Sequence, residues 1–480
     1  MTIQDKIKSI PYFFRIKALA KKEKTEVYLV GGSLRDIFLL GGFSKPDFDF
    51  AVSRNPLRFA REFASLTKGK VVILDKALRN VRVVLKRRNE VVNYDFSRFR
   101  ETPFLEDLKK RDFTVNTLAV KANDYPKIKI EDNLGGLKDI KKKSLRCAGK
   151  AVFTDDPLRI MRAFALSALY NLKLIPETEK LITRYKDRLV KTAPERISEE
   201  FFKILSSDNA FRIFQDMDKL GVLLCLFPEI KPMKKTKQGG YHHLDVWPHS
   251  LETVRCFEKS VIKKLGKDPV IAEYLNEEVS QGRNRRQLIK FACLFHDIGK
   301  PKSKKVKAGR MSFYGHEKIG RDLVAGICRK MKMSSKEEDF IKSLVYLHLR
   351  PGFLADTKTL SQKAVYRFFR RAGDNAAAVI ILCLSDWRAT RGPLIDMAQR
   401  KRHEKIMVKL IGEYFNKKEQ KPLKRIVTGY DIMRRFKISP SPLVGRVLKE
   451  IEEQRALKKI SSKKQAFEAA GEIIKKSGKI

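Results

Sequence analysis

The strongest constraint in this 480-residue chain is a change of hydrophobic period near residue 155. Before it, the β-rich runs Val27–Val30, Phe48–Val52, Val71–Leu74, Val81–Leu85 and Val91–Phe96 alternate with helical patterns. From Asp155 to about Leu226, apolar residues recur at three- and four-residue spacing, one helix after another. The chain therefore reads as α+β: a mixed sheet with helices first, then all-α parts. A Pro-, Lys- and Gly-rich break, Pro228 to Gly240, has the composition of a linker. A His-bearing helical block follows to about Arg400, then a very basic stretch, Lys401 to Lys424, and a small helical segment, Arg425 to Ile480. The expected division is 1–150, 151–235, 236–400 and 401–480.

Charge narrows the partners. Lys and Arg number 103 against 56 Asp and Glu, a formal net charge of +47. That excess excludes an ordinary metabolic enzyme surface and implies a polyanion, nucleic acid or acidic membrane. The longest apolar run, Ala376 to Leu384, is too short for the ~20 residues of a spanning helix. The start, MTIQDKIKSI, carries charges where a signal peptide needs an apolar stretch, so a cytoplasmic location is expected. Six scattered cysteines without a CxxC pair read as small buried hydrophobes.

The segment VYLVGGSLRDIFLLGGFSKPDFDF concentrates the chemistry of the first part. A strand runs into Gly31-Gly32 and then a helix, with Leu34, Ile37 and Phe38 inward and Arg35 and Asp36 on another face. Such a turn either exposes backbone N–H groups to a phosphate or is a plain tight turn. In Asp47-Phe48-Asp49-Phe50, alternation puts both carboxylates on one face of a strand and both rings on the other. Paired carboxylates either form a solvated acidic edge or hold Mg²⁺ together with phosphate oxygens. Two such ions activate an attacking hydroxyl and neutralise leaving pyrophosphate. The same alternation in Val91–Phe96 puts Asp95 on the polar face, where it completes a metal pocket or accepts the hydroxyl proton. In LKKRDFTVNTLA, Arg111 is suited to bind phosphate, with Asp112 orienting it.

The ordered series GGSLRD, DFDF and KRDFTVNTLA resembles the head domain of class II tRNA nucleotidyltransferases and bacterial poly(A) polymerases, which belong to the polymerase-β-like nucleotidyltransferase superfamily. The resemblance implies that Gly32 and Arg35 contact the nucleotide, Asp47 and Asp49 hold Mg²⁺, and Arg111 touches the triphosphate. The family's usual arginine before Arg111 is Lys110 here, which keeps the charge without the bidentate fork.

Thr154–Arg162, TDDPLRIMR, reads locally as a helix start with an Asp cap and Pro157 in the first turn. Capping leaves Arg159 and Arg162, three apart on one face, unexplained. Cytosine and adenine both present an amine donor beside a ring-nitrogen acceptor, whereas guanine and uracil reverse the order. A carboxylate beside a guanidinium therefore accepts C or A. The segment is similar to the family's base-reading motif, which assigns that pair to Asp156 and Arg159. The family's usual Glu and its further Arg are replaced by Asp155 and Ala165.

Six of the seven histidines fall between His242 and His348. FACLFHDIGK places His296 beside Asp297 at the end of an apolar helix. With His249 in WPHSLET and Asp386 in LCLSDWRA, this set suits a divalent transition metal or Mg²⁺. His316 and His348 would hold a second ion. Residues 240–400 resemble the HD superfamily of metal-dependent phosphohydrolases, implying a divalent ion (Mg²⁺, Mn²⁺, Ni²⁺ or Fe²⁺) and phosphatase or cyclic-phosphodiesterase activity on RNA ends. HD domains also serve as plain helical scaffolds. The C-terminal VTGYDIMRRFKISPSPLVGRVLKEI resembles the helical arm that grips tRNA in the same enzymes.

The resulting expectation is a template-independent RNA nucleotidyltransferase. It adds C and/or A from CTP and ATP to tRNA 3′ ends, or to other RNA 3′ ends, by two-metal in-line attack on the α-phosphate. Poly(A) polymerase and A-only or CC-only addition share every motif. An HD phosphohydrolase with an RNA-tethering head is the reading from a different class.

Overall fold

The computed structural model describes residues 2–75, 80–87, 90–99, 103–308, 310–357, 359–419 and 425–477. The chain divides into two compact units, Met1–Pro228 and Glu229–Ile480.

The first unit is built on a seven-stranded mixed sheet. Its strands are β1 (Val27–Val30), β2 (Asp47–Val52), β3 (Lys70–Asp75), β4 (Asn80–Arg87), β5 (Glu90–Arg98), β6 (Ala119–Lys121) and β7 (Ile130–Glu131), in the spatial order β3-β4-β5-β2-β1-β6-β7. The five expected strands are present within one or two residues of their expected bounds. β6 and β7 are too short to carry a legible period. β2 and β5 run parallel, with Asp49 opposite Asp95 and Asp47 opposite Asn93. The other pairings in this sheet are antiparallel.

Alternation sorts the two faces. Phe50, Tyr94 and Phe96 are fully buried, and Phe50 lies 5.5 Å from Phe96, ring to ring, and 6.0 Å from Phe13. The helix Pro56–Thr67 covers this face with Phe59 and Phe63; Asn55 caps it by accepting from the Arg58 N–H, and Pro56 opens its first turn. The carboxylates of β2 and β5 stand on the opposite face, so the aromatic core anchors the strands that present them.

Behind the sheet, residues Ser144–Leu145 pair in parallel with Lys173–Leu174. This ladder brackets the helix Arg159–Tyr170, which ends at Asn171 in a left-handed conformation. Arg212 donates to the carbonyls of Ser167 and Leu172 at that helix end. Helices Pro194–Ser206 and Ala210–Lys219 close the unit around Phe201 and Phe214.

The second unit is helical apart from two small hairpins, Glu278–Ser280 with Arg283–Asn284 and Lys305–Lys307 with Arg310–Ser312. Its centre is Ala376–Ala389, whose apolar run is buried. Around it pack Val246–Cys256, Arg285–Phe295 and Ser335–Leu347. The segment expected as a linker is instead packed structure. Ile230–Lys234 is helical with Ile230 and Met233 fully buried, and Gln238 accepts a 2.6 Å hydrogen bond from Lys300. Pro232 lies within that helix, and Pro228 precedes it in a turn that ends the first unit.

The basic stretch also differs from expectation. A single helix, Met397–Glu419, crosses residue 400 and buries Met407, Leu410 and Ile411 against the same unit, while residues 420–424 lie outside the described set. The last segment folds as Gly429–Phe436, Pro442–Ala456 and Lys463–Lys476 around Ile432, Val447 and Ile474. Among the described residues, no helix is long and apolar enough to cross a membrane.

Truncating Phe50 to alanine is expected to cost about 3–5 kcal/mol through the cavity left among Phe13, Tyr94 and Phe96. Denaturant unfolding of the full chain followed by near-UV circular dichroism checks this.

Candidate active site

In the first unit the glycine turn and the carboxylate strands meet at one cleft of about 1080 Å³. Gly31 caps the helix Gly32–Leu40 at φ 84°, a conformation that favours glycine. A Cβ there would lie 2.9 Å from Asp49 Oδ2, so the turn also needs glycine for the close approach of that carboxylate. Of the residues expected in this site, Gly31, Gly32, Asp49, Asp95, Arg111, Asp156, Arg159 and Arg162 line the cleft. Asp47 stands beside it on β2, accepting a 2.6 Å bond from Asn93.

The charges at the cleft are arranged in opposition. Asp49 is exposed to the cleft, yet the protein packed around it, then the neighbouring Asp95, push its carboxyl up to about 6, against the pull of Arg111 and Arg162. Asp95 accepts two 2.7 Å bonds from Arg82, a bidentate pair. Carboxylates that repel one another this closely fit a divalent cation, which relieves the repulsion and bridges to phosphate oxygens.

Two expectations change. Arg35 and Asp36 are buried rather than displayed on an outer face. Arg35 does not line the cleft; it bonds Asp36, Asn116 and Tyr170 beneath the glycine turn. Asp112 does not orient Arg111, which lies 3.5 Å from Asp107 instead. Asp112 pairs with Arg162 at 3.0 Å and accepts from Asn116 and the Phe113 N–H. Burial raises its pKa, but Arg162 and those two donors leave it below the usual carboxylate range.

Asp156 sits between the short helix Val152–Asp155 and the helix Arg159–Tyr170, and it accepts from the Leu158 N–H at 3.1 Å. Its other oxygen accepts from Arg196 at 3.1 Å. Arg196, Tyr170 and Arg82 lie outside every motif of the sequence, and Asn116, inside KRDFTVNTLA, was assigned no role there. Their importance comes from partners 40 to 135 residues away, or across a strand pair.

In the second unit all six expected ligands converge. His249, His296 and Asp386 form one group and Asp297, His316 and His348 another, each with its potential ligand atoms within 4.8 Å. The two groups adjoin: His296 Nε2 is 3.2 Å from Asp297, and His316 Nε2 is 3.4 Å from its other oxygen. His296, His316 and His348 each turn Nδ1 towards the carbonyl three residues earlier, at 2.7–2.9 Å. Donation of Nδ1–H there fixes the tautomer and leaves Nε2 free as a ligand. Gly299 makes the convergence possible, because a Cβ would lie 2.1 Å from the His316 carbonyl oxygen.

Burial disfavours charge on Asp297, but His296 and Lys300 hold its carboxyl well below the usual range. Burial likewise disfavours charge on His296, yet Asp297 raises its pKa to about 10, so metal binding would displace a proton from this imidazole. Lys300, 2.7 Å from Asp297, was not singled out in the sequence, although its place three residues after Asp297 is the signal that could have found it. The donor set of imidazoles and carboxylates fits a divalent transition metal or Mg²⁺.

Comparison with known proteins finds domains along the chain that carry much of both sites. Residues 27–146 match the Poly A polymerase head domain, 171–234 the probable RNA and SrmB-binding site of polymerase A, and 270–391 the HD domain. An A-adding tRNA nucleotidyltransferase of Deinococcus radiodurans is 29% identical over 446 residues, covering 91% of this chain and 93% of that protein. A CC-adding tRNA nucleotidyltransferase of Thermus thermophilus is 26% identical, covering 92% of each. The solved apo structure of a CCA-adding enzyme has the same fold, with a TM-score of 0.68 at 20% identity over 98% of this chain and 95% of that one. With its head motifs gathered at one cleft and its HD ligands gathered in the second unit, the chain joins a Poly A polymerase head domain to an HD domain and is a nucleotidyltransferase.

Proposed function

We propose that this chain adds cytidylate, adenylate or both to the 3′ end of tRNA, drawing on CTP and ATP. The observation that carries the reading is the meeting, at one cleft, of the β2 and β5 carboxylates with the Asp156–Arg159 pair. The first group suits phosphoryl transfer and the second suits a C or A base edge. The names of the Deinococcus and Thermus relatives support tRNA as the acceptor.

In the proposed reaction the tRNA 3′-hydroxyl gives up its proton to solvent water as its oxygen forms a bond to the α-phosphorus, in line with the breaking bond to the β-phosphate bridging oxygen, and pyrophosphate leaves. Asp47, Asp49 and Asp95 would hold divalent metal, Mg²⁺ in this reading, which when bound supplies Lewis-acid charge to the attacking and leaving oxygens. The Gly31-Gly32 turn offers backbone N–H groups, and Lys110 and Arg111 bring positive charge to the triphosphate. Asp156 accepts from the exocyclic amine of C or A while Arg159 donates to the adjacent ring nitrogen. Arg82 occupies both oxygens of Asp95, which suits that carboxylate to orienting charge better than to taking a proton. The basic surface holds RNA through counterion release.

The division of labour proposed along the chain is head 1–150, neck 151–235, HD 236–400 and RNA-binding tail 401–480. In the HD part, His249, His296, Asp297, His316, His348 and Asp386 would hold a divalent metal.

Incubating tRNA ending in –N, –NC and –NCC with each labelled nucleotide tests the reading; C or A is expected at the matching tRNA end. Strong extension of a generic oligoribonucleotide by ATP, without CTP use, would identify a poly(A) polymerase instead. Asp47→Ala with Asp49→Ala is expected to lower incorporation by about 10³-fold or more. His296→Ala with Asp297→Ala is expected to lower the metal content of the purified chain and leave incorporation in place. Because Asp49 takes up a proton near pH 6, Mg²⁺ affinity at the head, measured by calorimetry on the His296→Ala/Asp297→Ala chain, should weaken as pH falls through about 6.

A further inference from the structure

The buried polar groups under the glycine turn close into a ring that spans the site. Arg162 Nε lies 3.0 Å from Asp112, and Asn116 donates to the other oxygen of Asp112 at 2.9 Å. Arg35 donates through Nη1 to Asn116 at 2.8 Å and through Nη2 to the Tyr170 hydroxyl at 2.6 Å. The hydroxyl donates onward to Asp36 at 2.7 Å, and the Arg35 guanidinium lies 4.3 Å over the Tyr170 ring. Arg162 and Tyr170 belong to one helix, eight residues or about 12 Å apart along its axis, so the helix itself completes the circuit.

Each side of the ring ends on a part of the cleft. On one side, the Arg35 guanidinium packs under the turn: a Cβ on Gly32 would sit 3.1 Å from Nη2. On the other, the helix begins with Arg159 and carries Arg162, both at the cleft. Arg35, Asp36, Asp112 and Asn116 are all under 8% exposed, so displacing any of them strands a buried polar group. The base-reading helix cannot turn or slide without moving Arg35 beneath the phosphate turn.

We infer that Tyr170 and Asn116 are positioning residues that tie the reading of the base to the placement of the triphosphate. Tyr170 lies outside the lining of the cleft and Asn116 forms part of it; each bonds Arg35, and the inference rests on the nucleotidyltransferase reading above. A base seated correctly between Asp156 and Arg159 sets the helix, and through the ring the helix sets the turn that receives the phosphates. Nucleotides that fit the base pocket poorly would then also be held poorly at the reacting end.

Tyr170→Phe removes the two hydroxyl bonds and keeps the stacked ring. In single-nucleotide addition by the full chain, it is expected to lower kcat/KM for the preferred nucleotide about tenfold, with the melting midpoint lowered by only a few degrees. Its preference for C or A over U and G should fall by a similar factor. In a double-mutant cycle with Arg159→Ala, the two losses should fail to multiply by about fivefold or more, which a merely structural role would not produce. Asn116→Ala, read in the same cycle, carries the test if Tyr170→Phe folds poorly. Wild-type selectivity in both variants, or losses that simply multiply with Arg159→Ala, overturns the inference. A wild-type chain that adds no nucleotide overturns the function reading, so the two failures are distinguishable.

Discussion

The first unit depends on the parallel pairing of β2 with β5. That pairing sets Asp49 directly beside Asp95, and like charges at that spacing weaken the pairing unless they are offset. Arg82 takes Asp95 bidentately, while Arg111 and Arg162 act on Asp49 from other elements. The aromatic layer on the opposite face keeps the strands together regardless of what happens to the charges. Repulsion retained on one face and burial completed on the other is the pattern of a fold that gives up local stability for chemistry.

Much of this was legible because the informative periods are short. A two-residue alternation is enough to place Asp47, Asp49 and Asp95 on one face and Phe50, Tyr94 and Phe96 on the other. The order of the three head motifs carried the resemblance to the family, and the histidine motifs pointed to the six candidate ligands, but Asp297, read together with His249, His296 and Asp386, groups with His316 and His348 instead. What stayed hidden was set by distant partners. Arg35 sits in a stretch that reads as a surface helix face, yet its bonds go to Asn116 and Tyr170, 81 and 135 residues away. Asp112 follows Arg111 directly, but adjacency in sequence is not adjacency of side chains, and Arg162 takes the pairing. Composition misled at Pro228 to Gly240, where Lys231, Pro232 and Lys234 belong to a short helix with Ile230 and Met233 buried, because punctuation residues do not tell whether the surrounding apolar residues find a core.

The second unit reaches order by a different route. Its ligands come from helices well separated in sequence, and each of three histidines is steered by a carbonyl of its own preceding turn. Local geometry therefore presets the ring orientation, and only the approach of the helices remains for the fold to supply. Gly299 permits that approach at the tightest point.

The helix Met397–Glu419 began as a run of positive charge and proved to be a wall of the second unit. Met407, Leu410 and Ile411 face inward, while Lys401, Arg402, Lys405, Lys409, Lys417 and Lys418 are exposed. Electrostatic reach and structural support thus sit on opposite sides of one rod, free to drift independently in evolution. Lysines can be gained or lost there to suit the salt of a cell without disturbing the packing behind them, whereas a fragment cut at residue 400 would leave that packing open to water.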